Sequence, residues 1–306
     1  MDCQFIASEN FSQFCGESAS PCFIGVDEAG RGPVLGPMVY GVAVMPLDQE
    51  EYLKSQGVTD SKQLTEEKRE QLFAEFSKPD NKTVAYALRV ISPMHLSNVM
   101  QQRAKYSLND ESHDSAISLI RYCIDQGVQI HGVFVDTVGK AETYQSKLER
   151  IFPALKITVS EKADSKFTVV GAASVCAKVT RDHTLRDWTF PENCAEHNQI
   201  KVPTDGFGSG YPGDPNTKTF IANCTDPVFG FPSIVRFSWK TAEEIMQRKC
   251  CKVKWETDED LATGHSRSLL SFYSKSSNDK ENAPKMVMQR HAFYNDRKLC
   301  TGTKLF

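Results

Sequence analysis

Four carboxylates stand where they could do metal chemistry. Asp27 and Glu28 are adjacent and close a short apolar run, Phe23-Ile24-Gly25-Val26. Asp136 closes a second run, Val133-Phe134-Val135, and Asp164 lies in Lys162-Ala163-Asp164, just ahead of a segment rich in small residues. An acid at the tip of a buried strand is costly to desolvate unless a cation is near. Two carboxylates about 4 Å apart repel by roughly 4 kcal/mol at a surface-like effective dielectric. A cluster of four therefore either takes up protons or binds a divalent metal. All-oxygen ligation suits Mg²⁺ or Mn²⁺, and two such ions about 4 Å apart can activate a water and stabilise the leaving oxygen of an in-line phosphoryl displacement. Gly30-Arg31-Gly32 follows the first acidic pair. Its glycines let backbone N–H groups approach a ligand, and its arginine favours an anionic one. Plainer readings exist: Asp-Glu before Gly is ordinary turn chemistry, and Asp164 taken alone reads as a helix N-cap.

These residues need strands and helices to bring them together. Phe23–Val26 and Met38–Met45 read as paired strands, Thr83–Ile91 alternates like a third, and His131–Asp136 and Leu155–Val159 follow. Thr65 and Ser92-Pro93 are helix starts. Asn109–Gly127 is a helix whose Ala116, Leu119, Ile120, Cys123 and Ile124 share one face, and Glu142–Phe152 is another. Phe167–Trp188, with Gly171, Ala172, Ala173, Ser174 and Ala177, is a helix suited to close packing on a sheet. The alternation predicts an α/β fold: a mixed central sheet flanked by helices, with a smaller, mostly helical C-terminal region. Asp214-Pro215 opens a short helix there, and Ser238 reads as the cap of a last one through Gln247. The expected divisions are a flexible lead-in at 1–20, a catalytic domain at 21–190, a substrate-binding and docking region at 191–257 and a disordered tail at 258–306.

With 306 residues, the chain can bury a substantial core, and a net charge of -3 disfavours a purely electrostatic nucleic-acid binder. Ten cysteines lack any C-x-x-C or zinc-ligand spacing, which suits a reducing compartment. No stretch has the length of a membrane span or the core of a signal peptide, so no membrane partner is expected.

The stretch from Phe23 to Pro37 resembles the N-terminal signature of type 2 ribonucleases H, and three downstream segments match that family in order, from about Phe23 to Trp255. The resemblance implies a ribonuclease H-like fold. It assigns Asp27, Glu28, Asp136 and Asp164 as the catalytic, metal-binding acids, served by Mg²⁺ or Mn²⁺. It assigns Gly30, Arg31 and Gly32 to the ribonucleotide 2′-hydroxyl, the group that distinguishes RNA from DNA. Tyr211, in Gly210-Tyr211-Pro212, is assigned to the sugar at the junction with DNA. The implied activity is endonucleolytic hydrolysis of RNA in RNA–DNA hybrids and incision 5′ of single ribonucleotides in duplex DNA, leaving 3′-hydroxyl and 5′-phosphate ends. Its setting would be replication and repair in the nucleus. The alternatives are another metal nuclease of the same fold, or a non-catalytic nucleic-acid-binding scaffold. Val135–Gly139 and Phe229–Trp239 are similar to the eukaryotic branch of the family, which implies a heterotrimer with two non-catalytic subunits. Ser107 stands where that family more often has Asn, and a serine can still bond a phosphate. Lys62, Lys178, Arg181 and Arg236 are candidate phosphate contacts.

Two tail segments resemble interaction peptides. Ser266–Tyr273 places Leu269, Phe272 and Tyr273 with the spacing of a sliding-clamp ligand, though Ser266 replaces the usual glutamine; folding back on the domain or touching a partner chain is the other reading. Lys280-Glu281-Asn282 resembles a degron.

Overall fold

The computed structural model describes residues 3–58, 64–194, 200 and 206–252. Its strands are β1 (Gln4–Ala7), β2 (Cys22–Ala29), β3 (Met38–Pro46), β4 (Ala85–Ile91), β5 (Ile130–Asp136) and β6 (Ile157–Ser160). They form one sheet in the order β1-β4-β3-β2-β5-β6. The β1–β4, β4–β3 and β3–β2 pairs are antiparallel, and β2–β5 and β5–β6 are parallel. The helices are α1 (Glu50–Ser55), α2 (Glu66–Phe76), α3 (Pro93–Met100), α4 (Leu108–Asp125), α5 (Ala141–Ile151), α6 (Ala163–Lys166), α7 (Thr168–Arg186), α8 (Pro215–Asn223) and α9 (Lys240–Lys249).

Strand alternation builds two cores, one on each face of the sheet. Tyr40, Val42 and Val44 of β3 pack with Ala116, Ile120 and Cys123 of α4 and Leu148 of α5. Val39, Ala43 and Met45 pack with Val170, Ala173 and Ala177 of α7 and Phe76 of α2. The small residues of α7 have a direct cause. A Cβ on Gly25 of β2 would lie 2.5 Å from the Val169 backbone, so helix and strand touch main chain to main chain. A third core joins Val34 and Leu35 to Phe220, Ile221, Ile234 and Val235, seating the C-terminal region directly on the turn that follows β2.

Thr65, Ser92 and Asp214 cap α2, α3 and α8 through their side chains, as their sequence contexts predict. Three expectations are corrected. Of the expected lead-in at 1–20, the described residues 3–20 are not loose: β1 pairs with β4, and a 3-10 helix at Glu9–Phe14 buries Phe11 and Phe14. The strand is a four-residue edge with mostly exposed side chains, so it carries no alternation to detect. Ser238 does not cap α9; Trp239 occupies that position without a side-chain bond, and the Ser238 hydroxyl donates to Met100 Sδ. Ile124, placed on the buried face of α4, is 42 % exposed, so the buried stripe of that helix ends at Cys123. Among the described residues, no helix is long and apolar enough to cross a membrane. Residues 258–306, including Leu269, Phe272, Tyr273 and Lys280–Asn282, lie outside those described.

Candidate active site

Asp27 and Glu28 sit near the C-terminal end of β2, and Asp136 is the last residue of the parallel neighbour β5. Val26 pairs with Val135, so the register sets Asp27 and Asp136 side by side. Carboxylate oxygens of Asp27, Glu28 and Asp136 all lie within 4.8 Å of one another. Asp27 is buried, accepts the Glu28 N–H at 2.8 Å and accepts a Ser174 hydroxyl from α7. Asp136 Oδ1 accepts the Ala163 N–H at 2.7 Å.

Burial, followed by the negative charges of Glu28 and Asp136, pushes the Asp27 carboxyl well above its ordinary range. Burial and then Asp136 push Glu28 up to about 7, against the opposing pull of Arg31. Glu28 Oε2 is buried with no hydrogen-bond partner. Three crowded, desolvated carboxylates and an orphaned oxygen fit a hard divalent cation, whose charge would reverse each of these shifts.

Asp164 is buried in the first turn of α6, one residue beyond the Ala163 N–H that binds Asp136. The three-carboxylate cluster does not include it; it stands beside that cluster. It is not the N-cap of either neighbouring helix. The N-cap of α6 is Lys162, α7 begins after Phe167, and neither start has a side-chain cap bond. Lys162 takes a left-handed conformation at φ 53°, ψ 44°, and so turns the chain that carries Ala163 and Asp164 to the site.

The glycine turn is held from behind. Gly30 has φ 78°, and a Cβ there would lie 2.5 Å from Arg181 Cδ. Arg236 is fully buried and donates to the carbonyls of Gly30 (2.6 Å), Arg31 (3.2 Å) and Gly36 (2.8 Å). Trp239 Nε1 donates to Gly32 O at 3.0 Å, and the Arg236 guanidinium stacks 4.7 Å above the Trp239 ring. In a trans peptide the C=O and the next N–H point in opposite directions. With the Gly30 and Arg31 carbonyls turned towards Arg236, the N–H groups of Arg31 and Gly32 face away from it. Tyr211, half exposed, lies over the turn; its Cε1 would be 3.3 Å from a Cβ on Gly32. Its loop is joined to the turn by the Val34 and Leu35 N–H groups, which donate to Gly210 O. Arg31 donates to Asn109 Oδ1 at the start of α4. A cavity of about 600 Å³ opens beside the site between Glu28, Arg31, Met100, Leu108, Trp239 and Lys240.

The candidate phosphate contacts divide. Arg236 is corrected: its donors are spent on backbone carbonyls, and burial and then Arg181 lower it to about 9. An arginine inside the apolar run Ile234-Val235-Arg236-Phe237 is the sequence signal for such a buried clamp. Arg181 packs between Gly30 and Gly210, bonds Asp182 through Nη1, and has Nε and Nη2 without partners. Lys178 lies half-buried on α7, and Lys62 falls outside the described residues. Ser107 is also corrected. It forms a capping box with Asp110 at the start of α4, so its hydroxyl serves the helix.

Acids at the ends of two adjacent parallel strands in this mixed sheet, beside a clamped glycine turn, define a ribonuclease H-like nuclease. A family model described as Ribonuclease HII matches residues 24–242, and the chain belongs to that family. It is 47% identical to the Ribonuclease H2 A-subunit of Caenorhabditis elegans over 299 residues, covering 97% of each chain. With the human Ribonuclease H2 A-subunit it shares 45% over 285 residues, 93% of this chain and 91% of the other. The ribonuclease H2 of Pyrococcus horikoshii OT3 superposes with a TM-score of 0.57 at 32% identity, over 74% of this chain and 98% of that one. The RNase HII of Archaeoglobus fulgidus, solved in a complex with PCNA, does so with a TM-score of 0.55 at 28% identity, over 78% and 99%. The chain is therefore a type 2 ribonuclease H, an endoribonuclease.

Proposed function

We propose that the chain hydrolyses the RNA strand of RNA–DNA hybrids and incises 5′ of single ribonucleotides in duplex DNA, leaving 3′-hydroxyl and 5′-phosphate ends. The observation that carries this is the juxtaposition of the Asp27–Glu28–Asp136 cluster with the Gly30–Gly32 turn under Tyr211. Asp27, Glu28, Asp136 and Asp164 hold Mg²⁺ or Mn²⁺. Bound ions of this kind, two for an in-line displacement, supply an activated water and offset charge on the leaving oxygen. The remaining work falls to the chain itself. The Arg31 and Gly32 N–H groups read the 2′-hydroxyl, and Gly32 keeps the space over the turn clear for the Tyr211 ring. That ring packs on the first deoxyribose beyond the ribonucleotide. Arg181, Lys178 and Lys62 meet phosphates, which fix register and carry no sequence information.

The chain acts as the catalytic member of a heterotrimer with two non-catalytic subunits, in the nucleus, during replication and repair. Its relatives are named as one lettered member of Ribonuclease H2, which supports an assembly of several chains. The PCNA complex of the archaeal relative supports reading Leu269, Phe272 and Tyr273 as a sliding-clamp peptide. The test is a duplex with one embedded ribonucleotide, incubated with Mg²⁺ and any partner chains, against an all-DNA control. Incision only 5′ of the ribonucleotide is expected. Equal cutting of both duplexes would make the chain a general nuclease, and cutting of neither would make it a scaffold.

A further inference from the structure

Away from the catalytic acids, three residues of different chemistry converge on one point. Cys3 precedes β1, His95 lies in the first turn of α3, and Glu111 lies in the first turn of α4. The Cys3 thiol sulfur, a His95 ring nitrogen and a Glu111 carboxylate oxygen all lie within 4.8 Å of one another. The Glu111 side chain is only 2% exposed. We propose that Cys3, His95 and Glu111 form a zinc site that pins the N-terminal strand to the starts of α3 and α4.

The donor set decides the ion. Thiolate, imidazole and carboxylate together are the ligands of Zn²⁺, whereas Mg²⁺ takes oxygen alone. His95 Nε2 and Glu111 Oε2 are 3.3 Å apart. Two donors each about 2.0 Å from a tetrahedral ion are separated by about 3.3 Å, so this edge of the site needs no rearrangement. The outer contacts also fit. Arg89 donates to the other oxygen, Glu111 Oε1, at 3.0 Å and would keep that bond while orienting the ligand. The same guanidinium nitrogen is 4.0 Å from Cys3 Sγ. Tyr106 donates to Glu111 Oε2 at 3.1 Å and also lies 2.8 Å from Asp114 Oδ2, so it retains a partner when the ion takes Oε2. Cys3 is part-exposed and borders a cavity of about 430 Å³, so an ion can reach its sulfur from solvent. Binding converts the Cys3 thiol to a thiolate and releases its proton to solvent.

The site would brace the catalytic centre indirectly. α4 carries both Glu111 and Asn109, and Asn109 holds Arg31 of the glycine turn. Among the described residues β1 is a short edge strand that pairs with β4, so a metal bond to Cys3 adds a further attachment.

The experiment is Co²⁺ titration of the full-length protein in buffer saturated with Mg²⁺, which occupies the carboxylate cluster. Near-ultraviolet absorption from thiolate-to-cobalt charge transfer reports a sulfur ligand that the catalytic acids cannot supply. The expected result is one equivalent bound with that band, displaced by Zn²⁺, with the band lost in both Cys3→Ser and His95→Ala. Affinity in each variant should fall by about tenfold or more. Absence of the band in the wild-type protein, or its survival in either variant, overturns the assignment.

Discussion

Glu28→Gln should stabilise the metal-free protein at alkaline pH while destroying its activity. In the folded chain without a divalent cation, burial and Asp136 raise the Glu28 carboxyl from 4.5 to about 7. Between those values the folded state holds a proton that the unfolded chain has released. Stability therefore falls as pH rises from about 4.5, and the loss is complete above about 7. That interval corresponds to about 3 kcal/mol at about 1.4 kcal/mol per pH unit. Asp27 is raised for the same reasons and acts in the same direction. Glutamine keeps the shape without the titration, so the variant's profile should be flatter and its stability at pH 8 in EDTA higher by about 3 kcal/mol. Excess Mg²⁺ should recover most of this loss in the wild-type protein, since a ligand at about 100 times its Kd contributes about 2.7 kcal/mol. The assay is urea unfolding in EDTA from pH 5 to 8, repeated with Mg²⁺. Parallel profiles for wild type and Glu28→Gln would show that Glu28 is not held under strain by its neighbours, and the argument for a cation there would fail.

Three further substitutions separate the parts of the site. Asp27→Asn should abolish turnover yet leave hybrid binding intact or tighter, because it removes a ligand and a negative charge close to phosphates; steady-state cleavage and fluorescence anisotropy check this, and near-normal turnover would refute the assignment. Tyr211→Ala should lose far more activity on a single embedded ribonucleotide than on a long hybrid, measured as kcat/KM on each, and equal losses would remove its junction role. Arg236→Met should cost about 3 kcal/mol in a urea titration, since it takes the donor from one buried and two part-buried carbonyls, and should lower kcat/KM on both substrates by releasing the turn; unchanged cleavage at full folding would show that the clamp does not position Gly30–Gly32.

Much of the site can be read in the chain because acids that end buried strands are chemically conspicuous. Asp27, Glu28 and Asp136 each follow an apolar run, and the parallel register of β2 and β5 brings them together as that pattern implies. Support from residues distant in sequence is what such a reading does not reach. Arg236 lies more than 200 residues from Gly30, and nothing local shows that its donors end on that turn. Ser107 reads as a polar group for a phosphate because both roles use one hydroxyl; only Asp110 at the third helical position reveals the capping box. β1 is hidden for the opposite reason, since an exposed four-residue edge is defined by its pairing with β4 and leaves no pattern of its own.

The central claim, that the acids of β2 and β5 hold the ions that carry cleavage, is tested most directly by anomalous diffraction from crystals soaked in Mn²⁺. A peak within about 2.2 Å of carboxylate oxygens of Asp27, Glu28 and Asp136, absent from Asp27→Asn crystals, is the predicted result. Mn²⁺-supported cleavage in solution with no anomalous peak at these three residues would contradict it.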